Sequence, residues 1–215
     1  LEAAVTSLQR RPGGPAITVA VGPTFAMRWL IPRLPRFQAA HPGIEVRVVT
    51  AIGDLVELTP DWTATIRLAE NPGAGFAGER LFTAALFPVA APAIAAELKH
   101  PKDLVRQALL EVSHAPQDWP RWLKLAGLDG KSFRKRARFD YSAFALQAAV
   151  DGLGVALARA PYVGDDLAAG RLVRLFDLAL EDERRGWYLI HRPGAESDPP
   201  FGAFRTWLAQ VAAEA

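Results

Sequence analysis

The sequence predicts an α/β protein, and two observations carry that prediction. Apolar runs with the period of two that is typical of strands alternate along the chain with segments whose apolar residues recur at helical spacing. Half of the 215 residues are hydrophobic and 22% are charged, and a chain of this size buries roughly 70% of the surface that it exposes when unfolded. We therefore expect a large core built from strand–helix–strand units with mainly parallel sheet order.

The first strand–helix–strand unit lies at residues 17–49. The alternating apolar run 17–21 predicts a strand, and a Gly-Pro pair ends it. Thr24 is placed to cap the following helix with its hydroxyl, and the helix is expected to kink or begin anew near Arg33 because two prolines interrupt it. Unpaired N–H groups at the start of a helix attract carboxylate or phosphate groups. This unit therefore predicts a geometry that binds a small anion.

The remaining elements alternate in the same way. The strand 44–50 is followed by a strand at 62–68, a glycine-rich loop at 71–75 and a strand at 81–90 that leads into the second half of the chain. The second half is predicted to hold strands at 109–112, 136–140, 155–158, near Leu172 and at 187–191, with helices at 118–126, 142–151, 162–169 and 199–213. We expect Trp119 and Trp122, three residues apart on one helix, to pack the second half rather than to form an aromatic cage for a cation.

The sequence lacks the residue patterns that disulfides, metal sites, common catalytic sites and membrane helices require. The chain has no cysteine, which rules out disulfides, thiolate chemistry and cysteine-based zinc sites. Its four histidines lack the i, i+4 spacing of metal ligands, and no nucleophile elbow, Walker loop or dinucleotide fingerprint occurs. No run approaches the roughly 18 apolar residues of a membrane helix. We therefore expect no catalytic residue, no metal, no cofactor and no membrane contact.

The charges of the chain are nearly balanced, with 25 basic and 23 acidic residues and a net charge of +2. The densest basic segment lies at 131–138. We interpret it as a solvated strand edge, where charge discourages unwanted pairing, rather than as a surface that contacts phosphate.

Several short motifs follow one another along the chain. They are the spacing of Leu30, Pro32, Leu34, Phe37, Pro42, Ile44 and Val46, then DWTATIR at 61–67, ERLF at 79–82, FPV at 87–89 before Pro92, FD at 139–140, LQAA at 146–149, G-x-GVAL at 152–157 and AGRLV at 169–173. Together they span roughly residues 17–208. In this order the motifs resemble the effector-binding domain of LysR-type transcriptional regulators, most closely the subgroup of the glycine-cleavage and β-lactamase-induction regulators.

The resemblance implies a two-lobed fold of the type 2 periplasmic-binding-protein kind, in which each lobe is a mixed sheet flanked by helices. Residues 1–14 then end a linker helix and hinge, residues 15–89 and 193–215 form lobe I, and residues 90–192 form lobe II. The crossings between lobes are expected near 88–92 and 191–193.

The resemblance also implies partners and a compartment. The family's sensing domains pair side by side in antiparallel fashion, which places the homodimer contact on helices near 33–40 and 143–150, and the full-length protein is expected to be a tetramer. DNA is bound only through a winged helix-turn-helix that is not in these residues. Such a regulator is expected in the cytoplasm.

We expect a sensing module that binds a small anionic or zwitterionic effector between the lobes, with a lobe angle that the DNA-binding part reads. Ligands in open α/β sheets lie beyond the carboxyl ends of the strands. In that position, two helix starts are predicted to face one cleft. The candidate effector-binding residues are Thr24, Phe25, Arg67, Phe139, Tyr141, Ser142 and Tyr188.

These candidates also have structural interpretations. Arg67 can clamp a carboxylate with two hydrogen bonds or hold the neighbouring loop by a salt bridge. Where the family has R-Y-G, this chain has R-L-A-E at 67–70, so its effector is expected to differ. Tyr188 is predicted to face the cleft and Trp187 to face away, while Phe139 also fits a core position. The alternative function is an extracytoplasmic solute-binding protein of a transporter, and the linker-like start argues against it.

Overall fold

A computed structural model describes residues 15–50, 61–130, 133 and 136–214, so the predicted linker at 1–14 lies outside the described residues. The strands are β1 (Ala16–Val21), β2 (Glu45–Thr50), β3 (Ala64–Ala69), β4 (Ala77–Thr83), β5 (Leu86–Ala90), β6 (Leu109–Val112), β7 (Arg136–Phe139), β8 (Val155–Arg159), β9 (Val173–Arg174) and β10 (Gly186–His191). The α-helices are α1 (Pro23–Phe25), α2 (Ile31–Ala40), α3 (Pro92–Ala95), α4 (Asp118–Leu125), α5 (Ser142–Val150), α6 (Gly164–Ala168) and α7 (Pro199–Ala213). Short 3₁₀ helices occupy Pro101–Arg106, Ala160–Tyr162 and Ala195–Ser197.

The described strands form two five-stranded sheets, with the orders β2-β1-β3-β10-β4 and β7-β6-β8-β5-β9. We call the parts built on them lobe I and lobe II. In each sheet two pairings are parallel and two are antiparallel. The sheets are therefore mixed, as the resemblance implies, and the expectation of mainly parallel order is wrong. All the antiparallel pairings involve β10 or β5, the two strands that follow a change of sheet.

The predicted single strand 81–90 is wrong, because the chain leaves one sheet and enters the other within it. Thr83 pairs with Gly186 in the first sheet, and Leu86 pairs with Arg159 in the second. The chain returns between Arg174 and β10, and both changes of sheet lie earlier than the predicted crossings at 88–92 and 191–193.

The first helix changes its winding before its prolines. The π-helical stretch Ala26–Leu30 joins α1 to α2, and the N–H of Ile31 bonds to the carbonyl of Ala26, five residues back. An α-helix begins anew at Ile31, two residues before the predicted point at Arg33. Pro32 follows the π-helical stretch directly and Pro35 lies inside the helix, so neither residue supplies an N–H to the helical hydrogen bonds.

Each sheet is covered by its own core. Lobe I buries aromatic side chains between β1 and the last helix α7, among them Phe201 and Phe204, so the C-terminal helix packs on the first lobe as predicted. Trp119 and Trp122 pack the core of lobe II with exposed fractions of 4% and 0%, which confirms the packing interpretation. The indole N–H of Trp119 donates to the carbonyl of Leu110 at 3.0 Å. No described helix is long and apolar enough to cross a membrane.

Candidate functional site

Two helix starts meet where the lobes touch. Thr24 lies in α1 of lobe I and is 5% exposed, while Ser142 is the first residue of α5 in lobe II. The backbone N–H of Ala143 donates to the Thr24 hydroxyl at 3.2 Å, across 119 residues of sequence. The structure thus brings Thr24 and Ser142 together.

The predicted capping role of Thr24 is wrong. The helix begins one residue earlier, at Pro23, so Gly22 is its N-cap and Thr24 stands inside the first turn. Ala143 is the second residue of α5, and its N–H has no acceptor within its own helix. The Thr24 hydroxyl therefore accepts a hydrogen bond from the first turn of α5 in the other lobe, and none from its own helix.

Phe25 belongs to a buried aromatic cluster that bridges the lobes. Its ring is 0% exposed and lies 4.9 Å from Trp187 and 5.2 Å from Trp29, measured between ring centroids. Tyr162 of lobe II lies 5.4 Å from Trp187 and completes the contact. Burial raises the pKa of the Tyr162 hydroxyl, so this side chain stays neutral at the junction. Phe25 thus joins the lobes as part of the core.

Arg67 and Tyr188 stand directly opposite each other on the antiparallel strands β3 and β10. Paired residues in such strands lie on one face of the sheet. The Tyr188 hydroxyl donates to the carbonyl of Glu70 at 3.3 Å, and neither Thr24 nor Ser142 accepts a hydrogen bond from it. Trp187 is 5% exposed and packs on the inter-lobe cluster, so it points toward the lobe junction and not away from it as predicted. Tyr188 therefore holds the loop in which the chain departs from the family pattern.

Phe139 and Tyr141 flank the start of α5. Phe139 ends β7 and is half-buried against the core of lobe II. Tyr141 is the N-cap residue of α5 without a side-chain capping bond, and its ring meets Phe144 edge-on at 5.8 Å. A ring nitrogen of His114 lies 2.7 Å from the carbonyl oxygen of Asp140, which fixes the turn between β7 and α5. These contacts place both aromatic residues at the carboxyl end of β7.

A small recess adjoins Ser142 in lobe II. Its volume of about 20 Å³ is the space of a single water molecule. Arg159 and Asp118 line it as an ion pair with a nitrogen–oxygen distance of 3.0 Å, and both side chains are about four-fifths buried. Sequence reasoning missed these two residues, although Arg159 ends strand β8, where the rule about carboxyl strand ends would have found it.

The described residues contain no group of three or more His, Asp or Glu side chains arranged to hold a metal ion. Half of the basic segment 131–138 lies outside the described residues, and β7 is an edge strand of its sheet.

Comparison with known proteins gives a consistent result. The family model of the LysR substrate binding domain matches residues 10–213. The glycine cleavage system transcriptional activator of Escherichia coli strain K12 is 35% identical over 218 residues, covering 100% of this chain and 71% of the relative. The transcriptional activator AmpR of Pseudomonas aeruginosa is 34% identical over 210 residues, covering 96% of this chain and 70% of the relative.

A solved structure agrees with the sequence relatives. The effector domain of Pseudomonas aeruginosa AmpR superposes with a TM-score of 0.74 at 33% identity, over 93% of this chain and 96% of that domain. Both lobes are included in an overlap of this extent. The chain therefore belongs to the LysR substrate-binding domain family, and it is the effector-binding domain of a LysR-type transcriptional regulator with the two-lobed type 2 periplasmic-binding-protein fold.

Proposed function

We propose that this domain binds a small anionic or zwitterionic effector between its lobes and passes the resulting lobe angle to a DNA-binding part of the same protein. The observation that carries the proposal is the meeting of Thr24 with the start of α5 at the lobe junction. The first turn of a helix offers unpaired N–H groups and a positive dipole end to an anion. The transcriptional activators among the relatives favour this regulator over a solute-binding protein of a transporter.

The recess beside Ser142 is too small for an effector, which supports a site that opens when the effector binds. A space of about 20 Å³ is far below the roughly 300 Å³ at which small-molecule pockets begin. An effector larger than a water molecule must therefore widen this recess, which lobe II alone lines. An effector that binds the start of α5 must also replace the Thr24 hydroxyl at the N–H of Ala143, which loosens the contact between the lobes. A ligand that gains contacts in only one lobe arrangement shifts the balance between arrangements.

We assign different positions in this site to the candidates. Thr24, Ser142 and Tyr141 surround the start of α5, and Phe139 forms the wall behind them. Arg67 and Tyr188 form a separate pair at the end of β3. We expect this pair to contact the far end of a longer effector. The domain binds without turnover, works in the cytoplasm, and reaches DNA through another segment of its chain. Its lobes are those of residues 15–89 with 193–215 and of 90–192, apart from β5, which pairs in the sheet of lobe II, and β10, which pairs in the sheet of lobe I.

Thermal unfolding with a panel of amino acids, dicarboxylates, aromatic acids and muropeptide fragments tests the proposal. A ligand at 100 times its Kd adds about 2.7 kcal/mol of stability, which raises the Tm of a domain this size by about 5–10 °C. We expect Thr24→Val and Ser142→Ala to abolish that shift, because both remove a hydroxyl from the lobe junction.

Thr206→Val and Ser197→Ala are the matched controls, since both residues are exposed in lobe I away from the junction. They should leave the shift intact. A compound that raises the Tm equally in all four variants would place its site elsewhere. If no compound in the panel raises the Tm, the proposed effector class is wrong.

We also propose that the domain forms an antiparallel homodimer through the first helix and α5, and a tetramer in the full-length protein. The exposed fractions of Met27, Ile31 and Phe144, which lie on these helices, are 56%, 49% and 51%. Contiguous exposed apolar side chains are typical of interaction surfaces.

Ala148→Arg and Phe144→Asp should convert the dimer into monomers, because each places a charge on α5 within the proposed contact. Sedimentation velocity measures this change directly. Ala209→Arg, on an exposed position of α7, is the control and should leave the sedimentation coefficient unchanged. A dimer that survives both α5 variants would refute this interface.

A further inference from the structure

Two arginines of lobe I reach two neighbouring acids of lobe II. Arg28 Nη1 lies 2.5 Å from Asp166 Oδ2. Arg33 contacts Asp165 with both terminal nitrogens, at 3.0 and 2.8 Å. The partners are separated by 138 and 132 residues of sequence. We call these four side chains the inter-lobe latch.

The π-helical stretch positions the two arginines. Residues five apart in a regular α-helix point about 140° away from each other, since each residue turns by about 100°. The wider turn at Ala26–Leu30 has its hydrogen bond from Ile31 to a carbonyl five residues back, so it brings residues at this spacing closer to one face. Arg28 and Arg33 both point toward lobe II for this reason. Wide turns of this kind are frequent at functional sites.

Each lobe holds its own half of the latch in place. The Arg33 guanidinium lies over the Trp29 ring at 5.0 Å and donates to the Trp29 carbonyl at 3.1 Å, so it is fixed within lobe I. Asp166 receives Arg171 of its own lobe on its other oxygen, at 2.7 Å. The acid therefore keeps a cationic partner even when Arg28 moves away.

These contacts have to break when the lobes rotate against each other. The side chains of Arg28 and Asp166 are 14% and 5% exposed, so this pair is shielded from salt and solvent more than a surface pair is. The pair of Arg33 with Asp165 is partly exposed, because the Asp165 side chain is 49% exposed. We propose that the latch favours the lobe arrangement described here, and that it thereby sets how strongly an effector must bind to change the lobe angle. The proposal rests on the proposed function, because it assigns a regulatory role to the same lobe movement.

A distance measurement between the lobes tests the latch. The chain has no cysteine, so spin labels can be attached to Ala209→Cys in α7 and Lys124→Cys in α4, two exposed positions in different lobes and outside the proposed dimer contact. We expect Arg33→Gln and Asp165→Asn each to raise the population of a second distance relative to the first by roughly twofold to fivefold, the effect of losing one partly exposed ion pair. The charge swap of Arg33→Asp with Asp165→Arg should restore the original distribution.

Arg36→Gln is the matched control for these variants. Arg36 lies on the same helix and forms an ion pair with Glu214 at 3.0 Å, but both partners belong to lobe I. It should leave the distance distribution unchanged. Identical distributions in Arg33→Gln, Asp165→Asn and the control would overturn the latch. Because this measurement uses no effector, it fails independently of the thermal-shift panel, which tests effector binding alone.

Discussion

Replacing Phe25 with alanine should lower the free energy of unfolding by about 3–5 kcal/mol, the cost of deleting a fully buried aromatic ring. The ring is 0% exposed and touches Trp29, Trp187, Phe82 and Tyr162 at centroid distances of 4.9–6.5 Å. The cavity left behind borders both lobes, so neither lobe alone can close it. Urea unfolding followed by tryptophan fluorescence measures the loss.

Leu125→Ala is the control for this substitution. Leu125 is 46% exposed on α4, outside the proposed dimer contact, so its loss should change the free energy of unfolding by about 0.5 kcal/mol or less. Similar losses for the two variants would mean that the cluster around Phe25 does not hold the lobes together. In that case Phe25 would be free to serve as a wall of the effector site.

The structural role of Phe25 could not be derived from its neighbours in sequence. The strand–turn–helix pattern around it predicts where the helix starts, and the structure confirms the strand β1 and the helix after it. Apart from Trp29, four residues on, the partners of Phe25 come from β4, β10 and the turn at Tyr162, far along the chain. Periodicity indicates that a residue is buried, but it does not identify what the residue packs against.

The errors of the sequence analysis have the same physical origin. Residues 84–85 are two alanines without a glycine or proline, so no turn signal marks the point where the chain changes sheets. The split between β4 and β5 comes from pairing with β10 and β8, which local sequence does not record. The Thr24 hydroxyl likewise finds its donor 119 residues away, although a local capping role fits its position equally well.

The part of the candidate site that lies at strand ends could be predicted from the sequence. The meeting of Thr24 with the start of α5 follows from placing two strand–helix units face to face. The ion pairs between the lobes could not be predicted from the sequence, because Asp165 and Asp166 resemble the acidic residues that are common in the first turn of a helix. Their arginine partners become visible only once the lobes are assembled.

Asp166→Ala should cost about 3 kcal/mol in the free energy of unfolding, because it leaves the guanidinium of Arg28 shielded from water without its acid. Asp166 is 4% exposed and is held between Arg28 and Arg171. Asp165→Ala removes the same chemical group one residue earlier, where the side chain is 49% exposed, and should cost at most about 1 kcal/mol.

Because both variants remove the same charge, the difference between their costs measures the effect of burial on the ion pair. Raising the salt concentration should reduce the cost of Asp165→Ala and leave that of Asp166→Ala nearly unchanged, since buried pairs are screened much less. Combining Asp166→Leu with Arg28→Met should recover most of the loss, because an apolar pair of similar volume leaves no uncompensated charge at the lobe junction. Urea unfolding at low and high salt measures all of these differences. Equal costs for Asp165→Ala and Asp166→Ala would show that the buried pair contributes no more than a surface pair, and that lobe contact depends on the aromatic cluster around Phe25.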